Sequence, residues 1–258
     1  MATHVLKACA STVQGGIIDP KAKSVHTVAS GDTVILVTWA MWDNAAGASL
    51  DLAHAMALRE RFRAEGRGPH SLTGPIAVET ARPGDVLKVE IESLDVADHG
   101  INLIFPGGRS RGLLSDIFPE AELRHFQLDR RTMTTRFGEG ITIPLRPFLG
   151  IMGVLPPPEE AARSSAIPGN FGGNIDCADL VAGSTLYLPV FVEGAGFYAG
   201  DGHAAQGCGE VVQTALETAM TAAKLRLTVL KGRSIVRPWA ETREHFITMG
   251  LDDDLRDA

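Results

Sequence analysis

The amino-acid sequence predicts an α+β fold in which strands dominate, packed as a β-sandwich or as barrel-like layers with one or two helices. Several segments alternate apolar and polar residues or are rich in β-branched side chains, as strands are. The chain contains 28 glycines and 14 prolines, which indicates many turns between short elements. Together with an aromatic content of only 6%, this favours short elements over a helical bundle.

Four segments are predicted to form strands. Residues 33–39 are β-branched and apolar and follow a Ser-Gly-Asp turn. Residues 86–91 and 224–230 alternate apolar and polar side chains, which is typical of a half-buried strand. Residues 185–192 are similar, and Pro189 places this strand at a sheet edge or a bulge, because proline cannot donate to the hydrogen-bond ladder.

Two segments have a helical composition. Residues 50–63 contain strong helix formers and neither glycine nor proline, so we expect a helix there. Residues 210–224 also favour a helix by propensity. They are rich in valine and threonine, however, and could instead form a strand that leads into residues 224–230.

The chain is predicted to form one unit over residues 1–258. Its clearest internal break lies at residues 153–170, where Pro156–Pro158 impose an extended conformation. This segment either separates two β-rich halves, residues 1–155 and 156–258, or forms a long loop at an active site.

Composition limits the classes of function. The net charge of −7 argues against nucleic acid or an anionic membrane as the main partner. Cys9, Cys177 and Cys208 are too few and too scattered for a disulfide framework. The sequence contains neither an apolar run typical of a signal peptide nor the roughly 18 consecutive apolar residues that span a membrane. We therefore expect a soluble, cytoplasmic protein.

Polar residues within glycine-rich segments are the main indication of a functional site. Asn174 and Asp176 follow a Gly-Gly pair, and Asp201 and His203 repeat their two-residue spacing. On an extended chain such pairs point to one side, and glycine lets the backbone approach a ligand closely. Considered alone, each aspartate is more often a turn residue than a ligand. His203 considered alone is at least as often a structural histidine as a ligand. Because both pairs flank the strand at 185–192, they predict a ligand-binding rim, with Glu210 nearby.

Two residues of the N-terminal half extend this set. Asp43 follows a predicted strand, where it could also cap the next helix, and His70 lies in a loop. With Asp176 and His203 they supply two carboxylates and two imidazoles. These donors favour a divalent metal, zinc before calcium or another cation.

Other catalytic patterns are weaker. The motifs GxSxG and HExxH and a Walker loop are absent from the sequence. Cys208 lies between glycines and close to His203 and Glu210, so it could act as a nucleophile. We rank this thiol below a water molecule activated by a metal.

Six motifs, in the order of the chain, resemble the acetamidase/formamidase family. They are His70–Ile76, Ala81–Glu90, Pro147–Val154, Gly172–Asp176, Leu186–Val190 and Gly200–Glu210. The last three match the family patterns G-G-N-x-D, L-Y-L-P-V and G-D-x-H-A-x-Q-G-x-G-E. This combination is specific, whereas each motif alone is not.

The resemblance implies hydrolysis of a short linear amide, such as formamide or acetamide, to a carboxylate and ammonia. It also implies a β-rich fold with one helical excursion, a divalent metal and a homo-oligomer. The expected metal ligands are Asp43, His70, Asp176 and His203.

Other positions receive catalytic or substrate-binding roles in this hypothesis. Glu210 would be the general base, with Asp201 as a second catalytic residue. The expected donors to the oxyanion are Asn174 and the backbone amides of Gly172 and Gly173.

Two departures from the family pattern leave rival functions open. Phe171, which we place in the substrate-binding group, occupies a position where some members carry histidine, and Cys208 occupies a variable position. The rivals are an amidase that depends on Cys208 and a non-catalytic protein that binds a small ligand or a metal.

Overall fold

Two long antiparallel strands form the centre of a large sheet in the computed structural model of the protein, which describes residues 1–105, 117–252, 254, 256 and 258. Strand β7 spans Val86–Ile104 and pairs with β16, Leu216–Leu230, from Val86 opposite Leu230 to Ile101 opposite Glu217. Alternation along β7 buries Val89 and Ile91 and leaves the charged residues between them half-buried. This pattern is why the segment forms a strand.

The other elements add to this centre in a defined order. The main path of the sheet is β10-β9-β8-β7-β16-β15-β11-β13, and most neighbouring strands are antiparallel. The remaining elements are β1 Thr3–Leu6, β2 Val13–Gly15, β3 Ile17–Ile18, β4 His26–Val28, β5 Asp32–Leu36, α1 Met41–Asn44, α2 Leu52–Ala64, β6 Ser71–Val78, β8 Glu122–Asp129, β9 Thr134–Gly138, β10 Ile141–Pro144, β11 Phe148–Gly153, β12 Arg163–Ser164, β13 Gly172–Asn174, β14 Thr185–Pro189, β15 Phe197–Ala205, β17 Trp239–Glu241 and β18 Phe246–Thr248.

The strand-dominated α+β prediction is confirmed, with 44% of residues in strands and 7% in helices. The four predicted strands occur as β5, β7, β14 and β16. Pro189 is the last residue of β14, and it pairs with Val86 of β7 beyond the point where β17 flanks the strand. The missing N–H of proline therefore interrupts no ladder.

Helix α2 confirms the predicted helix at 50–63 and carries a second, smaller core. The side chain of Asp51 accepts a 2.7 Å hydrogen bond from the His54 N–H and so caps the helix. Asp51 rather than Asp43 is therefore the cap. The buried face of the helix, including Leu58 and Phe62, packs with Leu103 of β7.

The helical alternative for residues 210–224 is wrong. Residues 216–230 are strand β16, and residues 210–215 form a turn and irregular structure. Pairing with β7, β15 and β5 overrides the helix propensity of this segment, as tertiary context often does.

Strands from both sides of residue 155 pair with one another in this sheet. β7 pairs with β16, and β11 pairs with β15. Residues 154–162 of the proline-containing segment form neither strand nor helix, and the two-residue strand β12 that follows them pairs with β3. No helix in the described part of the chain is long and apolar enough to cross a membrane.

Candidate functional site

Strand β15 carries Asp201 and His203 into the interior, where they are 5% and 1% exposed. The strand lies between β6, β11 and β16. Glycines permit this close packing, because a Cβ at Gly200 would lie 2.3 Å from a backbone oxygen of β6 and one at Gly202 would lie 2.7 Å from a backbone oxygen of β16. Asp201 adopts a φ of 57°, a left-handed conformation that is rare for aspartate within a strand.

A second carboxylate reaches the same point from the turn after β13. Asp176 has a φ of 46°, and its backbone N–H donates to the Gly150 carbonyl at 3.1 Å. Gly150 provides the space for both acids, since a Cβ there would lie 2.4 Å from Asp201 Oδ2 and 2.5 Å from Asp176 Oδ1. The two carboxylates therefore meet across a glycine.

His203 is the centre of the cluster. Its Nε2 lies 3.4 Å from Asp201 Oδ2 and 3.3 Å from Glu217 Oε2. The Phe148 ring packs edge-on against the imidazole with 4.9 Å between centroids. The imidazole therefore faces two carboxylates and is held in place by packing against an apolar ring.

His70 approaches Asp201 from the other side. Its Nε2 lies 3.9 Å from Asp201 Oδ2, and its Nδ1 is 2.9 Å from the hydroxyl of Ser165. Ser165 is fully buried and lies within the segment 153–170. This segment therefore contacts His70 through Ser165.

Burial and neighbouring charges raise the pKa values of two carboxyl groups of the site and lower that of a third. Burial raises the pKa of Asp176 to about 9, and the charges of Asp201 and Glu210 add to this effect. Burial also raises the pKa of Glu210, to about 7, with Glu217 contributing. Burial alone would raise the pKa of Asp201, but His70 and His203 outweigh it and lower this pKa to about 2.

The imidazole responds in the opposite sense. Burial by itself would lower the pKa of His203, but the charges of Glu217 and Asp201 raise it well above its usual value. The pKa values of Asp176 and Asp201 are therefore shifted in opposite directions within one cluster.

A cavity of about 450 Å³ borders the cluster, and Asp176, Glu217 and His70 are among the residues that line it. Several acidic and amide side chains face it, and apolar walls come from α1, α2 and the end of β7. The lining residues used below are Trp42, Phe62, His70, Leu103, Phe105, Asn174, Asp176, Glu210 and Glu217. Cavities of this size accommodate small organic ligands.

Two overlapping groups could hold a metal ion. Asp176, His203 and Glu210 form one, and Asp201, His203 and Glu217 form the other, each with its ligand atoms within 4.8 Å of one another. Asp176 Oδ1 and Asp201 Oδ1 are buried without a hydrogen-bond partner. Buried orphan carboxylate oxygens beside an imidazole fit a divalent cation, which would supply the missing partner.

Comparison with known proteins agrees with this architecture. The Acetamidase/Formamidase family model matches residues 19–166 and 157–242. The chain belongs to this family. The resemblance given by the six sequence motifs is therefore confirmed.

A formamidase from Methylophilus methylotrophus is 28% identical over 191 residues, covering 55% of this chain and 47% of that protein. The chain thus spans about half the length of the curated relatives it matches. An acetamidase structure from Yersinia enterocolitica superimposes with a TM-score of 0.79 at 29% identity, covering 93% of this chain and 72% of that one. A gamma lactamase from Delftia acidovorans shares the fold at 22% identity and a TM-score of 0.81, covering 93% and 72%.

The structure brings most of the expected family residues together, but not Asp43. His70, Asp176, Asp201, His203 and Glu210 all lie in the cluster or beside it. Asp43 instead forms an ion pair of 2.7 Å with Arg67. Its carboxylate is neutralised there and belongs to neither group of potential metal ligands.

Of the residues near β13 that were predicted to bind the substrate or the oxyanion, one lines the cavity and the others do not. Asn174 lines the cavity, whereas Phe171 is 2% exposed and packs in the main core. The Gly172 N–H donates to the Gly169 carbonyl at 2.8 Å, so it is engaged in a turn. Gly173 is also buried, opposite Met152 of β11. Of these positions, the side chain of Asn174 is the one that faces the cavity.

Glu217 and Gln206 are parts of the site that the sequence hypothesis did not include. Glu217 is the cross-strand partner of His203, and an isolated glutamate on an apolar, threonine-rich strand is the signal that could have indicated it. The helical alternative for residues 210–224 hid this signal, because helical periodicity turns Glu217 to a different face.

Substitution of Gly150 tests whether its missing side chain makes room for the two carboxylates. We expect Gly150→Ala to lower the free energy of unfolding by about 1–3 kcal/mol, because the new methyl group displaces two buried carboxylates. Gly138→Ala on β9 is the matched control, since a Cβ there meets nothing within 4 Å. Urea denaturation measures both, and equal stability of the two variants would contradict the proposed crowding at Gly150.

Proposed function

We propose that this protein hydrolyses short linear amides of the formamide or acetamide type to a carboxylate and ammonia. The observation that carries the proposal is the buried cluster of Asp176, Asp201, His203 and Glu217 next to a cavity that Asp176, Glu217 and the neighbouring Glu210 line. Membership of the acetamidase/formamidase family supports the same chemistry.

The donor set supports a divalent cation held by Asp201, His203 and Glu217. Metal ligands must be deprotonated, and Asp201, with a pKa of about 2, is the acid that is ionised most readily. This set leaves Glu210 free for proton transfer and replaces the ligand set Asp43, His70, Asp176 and His203. A bound cation, with zinc preferred for these donors, would polarise the amide carbonyl and lower the pKa of water.

Glu210 is the residue that transfers protons in this mechanism. A general base works best when its pKa lies near the working pH, and burial raises the pKa of Glu210 to about 7. It faces the cavity, where it can take a proton from water and return it to the departing nitrogen. The Asn174 amide faces the same space and is placed to donate to the developing oxyanion.

The thiol mechanism has less support. Cys208 is exposed and is absent from the residues that line this cavity. Zinc as the metal, a homo-oligomer and a cytoplasmic location remain predictions from the sequence.

Ammonia release from formamide and acetamide tests the function and separates the roles of two residues. We expect His203→Asn and Glu210→Gln each to lower kcat/KM by roughly 100-fold or more. His203→Asn should also reduce bound metal in elemental analysis, whereas Glu210→Gln should retain it.

Matched controls complete this experiment. Glu139→Gln, on the exposed turn between β9 and β10, and Cys208→Ser should keep wild-type activity. Absence of ammonia release by the wild type from a panel of small amides would refute the proposed function. Loss of activity in Cys208→Ser alone would favour the thiol mechanism.

The pH dependence follows from the role of Glu210. Its carboxyl must be ionised to accept a proton, and its pKa is raised to about 7. We therefore expect kcat/KM to rise between about pH 5 and pH 7 and to level off above that interval. A nearby cation would shift this limb to lower pH without reversing its sign. A rate that falls across the interval would contradict general-base catalysis by Glu210.

A further inference from the structure

Gln206 bridges two parts of the cluster. Its side-chain Oε1 lies 2.8 Å from His203 Nδ1, and its Nε2 donates to the backbone carbonyl of Asp176 at 2.9 Å. The residue follows directly after β15 and so connects this strand to the turn that carries Asp176. One amide group therefore contacts both the central imidazole and the backbone of Asp176.

The chemistry of the partners fixes the orientation of this amide. A backbone carbonyl can only accept a hydrogen bond, so the group facing Asp176 must be the NH₂ of Gln206. Its carbonyl oxygen then faces His203 Nδ1, and an oxygen without hydrogen can only accept. The hydrogen in this contact must therefore belong to Nδ1.

We propose that Gln206 is a positioning residue that accepts a hydrogen bond from His203 Nδ1 and so holds the ring with Nε2 facing Asp201 and Glu217. The Nε2 distances of 3.4 and 3.3 Å to these carboxylates show which nitrogen the cluster uses. Hydrogen bonds to the far nitrogen of a metal-binding histidine commonly orient the ring and select its tautomer. The catalytic consequence rests on the proposed function, whereas the protonation of Nδ1 does not.

Two substitutions separate the two hydrogen bonds of Gln206. Gln206→Glu keeps an acceptor for Nδ1 but loses the donor to Asp176, and Gln206→Met keeps the length but loses both bonds. The matched control is Gln127→Met, because Gln127 also donates from Nε2 to a backbone carbonyl, that of Asp98 at 2.7 Å.

Proton–nitrogen NMR of the histidine side chains reads the Nδ1–H hydrogen bond directly, whether the ring is neutral or charged. His203 is assigned among the eight histidines by the signal that disappears in His203→Asn. We expect the Nδ1–H proton of His203 to show the downfield shift of a hydrogen-bonded group in the wild type, Gln206→Glu and Gln127→Met, and to move upfield in Gln206→Met. An unchanged Nδ1 signal in Gln206→Met, with a cooperative thermal transition showing that the variant is folded, would overturn the proposal.

Metal affinity and kinetics supply readouts that a purely structural role would not change. Zinc titration should show at least roughly 10-fold weaker binding in Gln206→Met than in Gln127→Met, and kcat should fall more than KM changes. If the wild type releases no ammonia but the NMR states are as expected, the proposed function fails and the role of Gln206 stands. If activity is intact and both the zinc affinity and the Nδ1 state of Gln206→Met equal those of the control, the role of Gln206 fails alone.

Discussion

The burial of an aspartate–histidine pair on one strand is the constraint on which the rest of the site depends. Taking a charge out of water costs several kcal/mol unless partners compensate it. Asp201 and His203 compensate each other's charge across 3.4 Å. Glu217 and His70 flank the pair, and burial with the neighbouring charges raises the pKa of Asp176 to about 9.

The architecture makes this burial possible. β15 is enclosed by β6, β11 and β16, and Gly150, Gly200 and Gly202 remove the side chains that would otherwise occupy the space of the carboxylates or of the neighbouring backbone. The small core under α2 closes one side of the cavity with Phe62 and Trp42. A closely packed, buried cluster thus lies next to an accessible cavity, which is the arrangement that supports strong electrostatic effects on a bound ligand.

The sequence was sufficient for local features and for motifs, but not for long-range pairing. Alternation gave the strands at 86–91 and 224–230, and composition gave helix α2, because these signals depend on neighbouring residues alone. The spacing of Asp201 and His203 correctly placed both side chains on one face. In contrast, the ion pair of Asp43 with Arg67 and the register that sets Glu217 against His203 depend on tertiary contacts. Gln206 stood within a recognised motif, but its role requires the position of the Asp176 carbonyl, which no spacing in the sequence reveals.

The most direct test of this account is the protonation state of Asp176. Difference infrared spectroscopy detects the C=O stretch of a protonated carboxyl group, and the measurement would compare the wild type with Asp176→Asn after removal of metal by a chelator. The account predicts a protonated, buried carboxyl at pH 7 that persists until the pH approaches about 9 and that is missing in Asp176→Asn. A spectrum with no protonated carboxyl at pH 7, or a band removed by Asp201→Asn instead, would contradict it.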